Sequence, residues 1–258
     1  MALGPDIAIL CHYDRDGLVR PDTMRYIHVL RSADFSVVVV SNGVPLRPDA
    51  AAALKGIAAV TLTRRNIGLD FSAWRMAMRH LALPRPGTRR ILLINDSVYG
   101  PLAPLAPLLA RMTPEEADLW GLTDSQERGW HLQSYFLLAH EALIQSPAWR
   151  RFWRGVIPLP FKRWTIGRYE IGFSQRVARA GLRARALFPY ATMVPDASIA
   201  NPTLGAWRVL LAAGFPFLKR ELLRDNPTEV GGLDAWRALV PKAYAAEIDT
   251  DLRRIRPP

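Results

Sequence analysis

The chain has 258 residues, of which half are apolar and 22% are charged. This length and composition allow a large buried core, which excludes a disordered protein. The single cysteine, Cys11, excludes a disulfide framework and a zinc site built from cysteines. No signal peptide and no apolar run long enough to cross a bilayer is recognisable. The sequence therefore predicts a soluble, cytoplasmic protein.

The net charge of +11 is concentrated in one segment. Residues 147–190 contain ten Arg or Lys residues and one acid, Glu170. Aromatic residues are interleaved with these charges: Trp149, Phe152, Trp153, Phe161, Trp164 and Tyr169. We expect the tryptophans of this segment to be exposed. Such a segment suits anionic partners, namely a nucleotide diphosphate, acidic lipid headgroups or nucleic acid. The alternative is an ordinary solvated basic face.

Strands and helices are predicted to alternate in the first hundred residues. The strands are predicted at residues 7–11, 35–40, 59–63 and 90–94, and the helices at residues 22–31, 48–56 and 71–83. Strands that are apolar throughout predict a mostly parallel sheet flanked by helices on both faces. Ligands of such sheets bind beyond the carboxyl ends of the strands. Four polar loops are expected to meet there, and they contain Asp14, Asn42, residues 64–70 and residues 95–101.

The second half of the chain predicts fewer strands and more helices. Strands are predicted at residues 117–122, 133–139 and 183–188, and helices at residues 105–112 and 166–181. The last 58 residues predict helices near 205–213, 217–224 and 233–240. We therefore expect an α/β domain over residues 1–200 and a helical C-terminal appendage over residues 201–258 packed on it.

The common catalytic motifs are absent. The sequence has no phosphate-binding P-loop, dinucleotide fingerprint, nucleophile elbow or zinc-protease motif. The five histidines are dispersed along the chain. These absences disfavour a P-loop NTPase, an ordinary dinucleotide enzyme and a serine hydrolase.

The turn at residues 64–70 is the first candidate site. Gly68 permits a tight turn, Asp70 can cap the following helix, and Arg64 and Arg65 can contact phosphate. The alternative is a capped strand-to-helix turn without a ligand, and the spacing alone favours it.

Asn95, Asp96 and Ser97 form the second candidate site at the end of an apolar strand. A carboxylate there, beside a second oxygen ligand, can hold a divalent cation that bridges a diphosphate. The alternative is an Asx turn followed by a Gly-Pro stop. The spacing favours neither.

Glu170 is the third candidate, at the start of a predicted helix. A carboxylate in a pocket can act as a general base toward a hydroxyl. The commoner alternative is an acid that stabilises the helix N-terminus.

Several phrases along the chain resemble the rhamnan synthesis F family of polysaccharide biosynthesis proteins. They are VVSN at residues 39–42, RNIGLDFSAW at 65–74, NDSVYGP at 95–101, LWGLTDS at 119–125, HLQSYF at 131–136, NPT at 201–203, PFLKRELL at 216–223 and NP at 226–227. The phrases run in order over nearly the whole chain. The family is regarded as glycosyltransferase-like, with a GT-A nucleotide-sugar fold.

The resemblance implies a donor site for a nucleotide-sugar. Its residues would be Asp14, Asn42, Arg65, Asn66, Gly68, Asp70, Asn95, Asp96 and Ser97. It also implies that Asp96 can hold a divalent cation, Mg²⁺ or Mn²⁺. The sequence departs here from the Asp-x-Asp motif of GT-A enzymes, because only one carboxylate is present.

The resemblance also implies an acceptor side and a catalytic base. Glu170 matches the carboxylate of inverting GT-A enzymes, although Ile171 replaces the second acid of their pair. Asp124 is the reserve candidate for the base. Trp120, His131 and Gln133 would bind the acceptor.

The residues and the resemblance together are compatible with two functions. The leading one is transfer of a sugar, for example rhamnose, to a cell-envelope polysaccharide or lipopolysaccharide, with the protein peripheral on the inner face of the plasma membrane. The alternative is a non-catalytic GT-A-like binding or scaffold module in a glycan assembly complex. A nucleic-acid partner rests only on charge and aromatic content, and we expect none.

Overall fold

The apolar segments form the strands of one mixed sheet and of a separate two-stranded sheet. The computed structural model describes residues 3–194, 196 and 199–255. The strands are β1 (Asp6–Asp14), β2 (Ser36–Gly43), β3 (Val60–Arg64), β4 (Arg90–Asn95), β5 (Val98–Tyr99), β6 (Leu119–Ser125), β7 (His131–Leu132), β8 (Phe136–His140), β9 (Ala184–Phe188) and β10 (Leu218–Lys219). The helices are α1 (Pro21–Ser32), α2 (Pro48–Ile57), α3 (Leu69–His80), α4 (Ala106–Arg111), α5 (Glu141–Ile144), α6 (Pro147–Gly155), α7 (Lys162–Thr165), α8 (Gly172–Arg179), α9 (Tyr190–Met193), α10 (Pro202–Gly205), α11 (Trp207–Ala212), α12 (Arg220–Asp225), α13 (Trp236–Leu239) and α14 (Lys242–Ile255).

The central sheet has the strand order β3-β2-β1-β4-β8-β6, and β6 also pairs with β7 and β9. The first four of these strands are parallel to one another, and β9 is parallel to β6. Strand β8 runs antiparallel to both β4 and β6. The predicted mostly parallel α/β sheet is therefore confirmed, with β7 and β8 as its reversed strands.

Helices cover both faces of the sheet because its central strands are apolar on both sides. In β1, Ala8 and Leu10 belong to the core cluster that includes Ile27 of α1. Ile7 and Ile9 belong to the opposite cluster, which includes Trp74 of α3. The sheet is thus the middle layer of three, and its polar strand ends are left for the site.

The aromatic residues of the basic segment divide into two groups. Trp149, Phe152, Trp153 and Tyr169 are buried in the core. The expectation that the tryptophans of this segment are exposed is therefore wrong for two of the three, because α6 packs its aromatic side onto the sheet. Phe161 and Trp164 are about half exposed, at 53% and 48%.

The predicted helix at residues 166–181 begins with an irregular turn. Residues 166–171 form a π-helix, which continues into α8. A π-helical turn rotates the side chains that precede a regular helix, and such turns are frequent at functional sites. Glu170 lies in this turn.

The C-terminal residues are mainly helical and pack on the sheet domain. A third core cluster joins Tyr99 of β5 to Trp207, Trp236 and Leu252. The helix predicted from residue 217 begins at Arg220, because the two preceding residues, as strand β10, pair with β5. The ends of the predicted domains, residues 1–2 and 256–258, lie outside the described residues.

Among the helices in residues 3–194, 196 and 199–255, none combines the length and the apolar character that a bilayer span needs.

Gly68 is required by the turn between β3 and α3. Its φ is +78°, and a Cβ atom there would lie 2.5 Å from Pro158 Cα. Gly87 has a similar φ of +83°, but a Cβ atom would have no neighbour within 4 Å. We expect Gly68→Ala to lower the free energy of unfolding more than Gly87→Ala, which carries only the backbone cost of about 1–2 kcal/mol. Urea unfolding of both variants measures the difference, and equal losses would contradict it.

Asp251 of α14 ties the C-terminal helices to the rest of the fold. Its carboxylate accepts hydrogen bonds from Arg220 Nη2 at 2.6 Å and from Tyr99 Oη at 2.8 Å. We expect Asp251→Ala to cost about 3 kcal/mol, because it leaves a mostly buried guanidinium without its partner. Asp249→Ala on the same helix is the control, since its pair with half-exposed Arg237 is worth ~0–1 kcal/mol. Similar urea midpoints for the two variants would contradict this account.

Candidate functional site

A cleft of about 1560 Å³ opens at the carboxyl ends of β1, β2 and β4. Most residues that the sequence nominated for the site line it: Asp14, Asn42, Asn66, Asp70, Asn95, Asp96, Ser97, His131, Gln133 and Glu170. The first seven lie at or after the ends of β1 to β4, which the parallel arrangement brings to one edge of the sheet. His131 and Gln133 come from β7 and the residue after it, and Glu170 comes from the π-helical turn.

A chain of hydrogen bonds crosses the floor of the cleft from the C-terminal segment to α3. Lys219 Nζ donates to Ser97 Oγ at 3.1 Å, and Ser97 Oγ donates to Asn95 Oδ1 at 2.6 Å. Asn95 Nδ2 donates to Asp70 Oδ2 at 2.6 Å. Asn95 also accepts from Ser97 N at 3.1 Å, which makes residues 95–97 an Asx turn.

The same series of hydrogen bonds continues to β2 through Cys11, the single cysteine. Cys11 Sγ donates to Asp70 Oδ1 at 3.3 Å and accepts from Asn42 Nδ2 at 3.1 Å. Arg64 Nη1 then donates to Asn42 Oδ1 at 3.1 Å. Burial, with Asp70 and Asp96 adding to it, raises the pKa of the Cys11 thiol well above its usual value. The thiol therefore stays protonated and serves as a donor in this chain.

The sequence suggested that Asp70 caps α3, but the structure shows that it does not. The helix begins one residue earlier, at Leu69, so Asp70 lies in its first turn and reaches sideways to Cys11 and Asn95. Burial raises the pKa of this carboxyl, and the two hydrogen bonds that it accepts act in the opposite direction. Asp70 thus connects the β1, β3 and β4 loops.

Asp96 is paired with a buried arginine. Its Oδ2 lies 3.3 Å from Nη2 of Arg20 and accepts from Tyr13 N at 3.1 Å. Arg20 is 6% exposed and also contacts Asp22 at 3.3 Å. These carboxylates raise the pKa of the guanidinium and outweigh the opposing effect of burial. Arg20 was not nominated from the sequence, since it stands alone before a helix.

Asp14 is held by the C-terminal helix. Its Oδ2 accepts from Arg254 Nη2 at 2.6 Å, and its Oδ1 accepts from Asp16 N at 2.9 Å. Burial alone would raise the pKa of Asp14, but these hydrogen bonds hold it below its usual value. The carboxylate is therefore charged and fully engaged within the protein.

The residues of the cleft do not fit a divalent cation. The described residues contain no group of three or more His, Cys, Asp or Glu side chains placed to hold a metal ion. Asp96 is paired with Arg20, Asp14 with Arg254, and Asp70 with an amide and a thiol. A metal ion held by protein oxygens alone needs several ligands that are free to turn toward it. The described residues around Asp96 do not offer such a set.

Glu170 projects into the cleft from the π-helical turn. Its Oε1 accepts a hydrogen bond from Ser134 N at 2.7 Å. It does not pair with Lys162, whose Nζ lies 3.2 Å from Glu221 Oε1 instead. Within the described residues, Glu170 Oε2 accepts no hydrogen bond. One oxygen is thus fixed by the backbone, and the other can accept a proton.

The residues nominated for the acceptor separate into two groups. His131 and Gln133 line the cleft, and Gln133 is held by Thr123 Oγ1, which donates to its Oε1 at 2.7 Å. Trp120 is 3% exposed, lies in the core and donates from Nε1 to Thr113 O.

Asp124, the reserve base, does not line the cleft. Its two oxygens accept from Trp130 Nε1 and Tyr190 N.

Arg65 and Gly68, two donor-site residues implied by the resemblance, do not line the main cleft. Arg65 lines an adjoining depression of about 300 Å³, together with Tyr13 and Asn66. Gly68 is buried against Pro158 and does not line the cleft. Its role in the structure is to hold the turn.

The C-terminal segment supplies cleft residues that the sequence did not nominate. They are Lys219, Arg220, Glu221, Arg224 and Arg254. A signal was present in the phrase PFLKRELL, whose charges follow an apolar run. The helix predicted over this phrase concealed the strand that places Lys219 beside Ser97.

Comparisons with known proteins agree with the suggested family. The virulence protein VirA of Vibrio anguillarum is 28% identical over 253 residues, covering 86% of this chain and 80% of that protein. An uncharacterized protein, y4gN, of Sinorhizobium fredii is 27% identical over 187 residues, covering 71% of this chain and 48% of that protein.

Solved structures match at greater distance. A glycosyltransferase involved in the glycosylation of the major capsid of PBCV-1 is 12% identical and aligns with a TM-score of 0.40, covering 97% of this chain and all of that chain. The family model for rhamnan synthesis protein F matches residues 37–235. Since this match covers well over half of the chain, the protein belongs to the rhamnan synthesis protein F family.

Proposed function

We propose that the protein is an inverting glycosyltransferase. It would move a sugar, for example rhamnose, from a nucleotide-sugar to a glycan or lipid-linked glycan of the cell envelope, such as a polysaccharide or lipopolysaccharide. The observation that carries this proposal is the placement of Glu170, with one free oxygen, in the cleft that the loops of the parallel strands form. Membership of a rhamnan synthesis family supports it.

The donor would bind along the ends of β1, β2 and β4. Asn42, Asn66, Asn95 and Ser97 present amide and hydroxyl groups to the cleft. Such groups suit the ribose and phosphate oxygens of a nucleotide. Asp14 and Asp96 would act indirectly, since both are paired with arginines.

The reaction needs a base on the acceptor side. As the acceptor oxygen bonds to the anomeric carbon, the bond from that carbon to the diphosphate oxygen breaks, and the diphosphate leaves with the electron pair. Glu170 Oε2 would take the proton of the acceptor hydroxyl. His131 and Gln133 would contact the acceptor from the neighbouring wall.

Glu170→Gln tests the base. The amide oxygen of Gln can still accept from Ser134 N, so the fold and donor binding should remain. A lost general base should lower kcat about 10²–10⁴-fold. Thermal shifts with a panel of nucleotide-sugars first identify the donor, because a ligand that binds the native state raises its melting temperature. Transfer and donor hydrolysis are then measured.

Glu141→Gln is the matched control, because Glu141 lies in α5, outside the cleft. Wild-type turnover in the Glu170→Gln protein would show that Glu170 is not the base. Donor binding without transfer or hydrolysis in the wild-type protein would instead favour the non-catalytic binding module.

An exposed aromatic pair at the rim of the cleft supports a lipid-linked acceptor. The Phe161 and Trp164 rings pack edge to face, with centroids 4.9 Å apart. Lys162 and Arg163 between them are exposed, and Lys162 also lines the cleft. Exposed aromatic rings flanked by basic residues suit an anionic bilayer surface. The protein would then bind the inner face of the plasma membrane peripherally, with the cleft near the lipid headgroups.

We expect the protein to sediment with anionic vesicles and not with neutral ones, and salt should reverse the binding. Replacing both Phe161 and Trp164 with Ser should weaken binding about tenfold or more, since burying one large apolar side chain is worth ~1.5–3 kcal/mol. Leu239→Ser is the control, because Leu239 is similarly exposed, at 51%, on α13. Equal binding to both vesicle types, or unchanged binding by the double variant, would contradict this orientation.

A further inference from the structure

The basic residues of the cleft differ in whether they have a carboxylate partner. Seven line it: Arg15, Arg20, Lys162, Lys219, Arg220, Arg224 and Arg254. Within the described residues, all of these except Lys219 lie within 4.0 Å of an Asp or Glu oxygen. Among the described residues that line the cleft, Lys219 is therefore the cation without a carboxylate partner.

Lys219 is placed by the pairing of β10 with β5. Its Cα lies opposite that of Val98, and Arg220 N donates to Ser97 O at 3.0 Å. The ammonium reaches Ser97 Oγ at 3.1 Å and lies 5.1 Å from the centre of the Tyr135 ring. The strand pairing thus fixes a cation beside the Asx turn at the end of β4.

The surroundings leave this ammonium incompletely satisfied. A hydroxyl and an aromatic face compensate a buried positive charge less well than a carboxylate does. Burial lowers the pKa of Lys219, although the charges of Glu170 and Glu221 act against the shift. An anion in the cleft would supply the missing partner.

Unlike Lys219, the carboxylates at the strand ends have charged partners. Asp96 and Asp14 are neutralised by Arg20 and Arg254, so they do not offer a set of free oxygens to a metal ion. A diphosphate in this cleft would therefore meet an ammonium group where a metal-dependent enzyme presents a cation held by carboxylates.

We propose that Lys219 binds the diphosphate of the donor and stabilises it as the leaving group, in place of a divalent cation. This inference rests on the proposed function of the cleft and extends it to the chemistry of the donor site. Lys219 would donate a charge-assisted hydrogen bond to a diphosphate oxygen as negative charge develops there. It would transfer no proton, and Ser97 would hold the ammonium in position.

The test measures binding of UDP, GDP, CDP and dTDP to the full chain by calorimetry. Each is titrated in three buffers, which contain EDTA, Mg²⁺ or Mn²⁺. We expect the nucleotide that binds to do so equally well in all three buffers. Lys219→Met should weaken its binding about 10- to 100-fold, the range expected for a hydrogen bond to a charged group. Lys219→Arg should keep most of the affinity.

Lys55→Met is the matched control, since it removes the same charge from the exposed surface of α2. The urea midpoint of Lys219→Met separates binding from folding. It should not fall, because the ammonium has no carboxylate partner to leave unpaired. A fall in stability with unchanged nucleotide affinity would assign Lys219 a structural role and overturn the proposal.

Two other results would also overturn it. Binding that requires Mg²⁺ or Mn²⁺ would show that a metal ion does the work assigned to Lys219, while the proposed function of the cleft would stand. Failure of all four nucleotides to bind in any buffer would reject the donor site itself, and the role of Lys219 with it.

Discussion

The hydrogen bonds of Asp70 are the constraint on which the site depends. The carboxylate contacts Asn95 at the end of β4 and Cys11 in β1, while its backbone belongs to the first turn of α3. Three loops that are distant in sequence are thereby held in one arrangement. Because the group is partly buried and accepts bonds at both oxygens, any displacement of one loop would leave a polar atom unsatisfied. The floor of the cleft is therefore preorganised before a ligand arrives.

The acidic residues of the cleft differ in whether a basic residue neutralises them. Arg20 and Arg254 neutralise Asp96 and Asp14, so these two acids of the cleft serve the structure. Glu170 stands apart from them, because it contacts a backbone N–H and no cation within ion-pair distance in the described residues. The same cleft thus separates structural acids from one acid that is free for chemistry. Such a division is what a proton-accepting carboxylate beside an anionic ligand requires.

The sequence predicts the parts of the fold that depend on local patterns. The apolar runs of β1, β2 and β4 and the periodicity of α1 and α3 indicate the parallel sheet, and therefore which strand ends meet. Long-range pairing is invisible to such patterns. Residues 218–219 extend a helical pattern in the sequence, yet they form a strand because β5 offers them a backbone partner. The resemblance assigns Trp120 to the acceptor, but β6 is buried along its whole length and Trp120 lies in the core.

The C-terminal segment completes the site and is more than an appendage. Arg254 of α14 binds Asp14, and Arg220 binds Asp251, so the last helix is connected to the first strand through paired charges. The same segment places Lys219 against the Asx turn. Without it, Asp14 would lose its cation, and the remaining cleft residues would hold a surplus of negative charge. An anionic ligand would be repelled from such a surface. The segment that follows the sheet therefore offsets part of the negative charge that a ligand meets in the cleft.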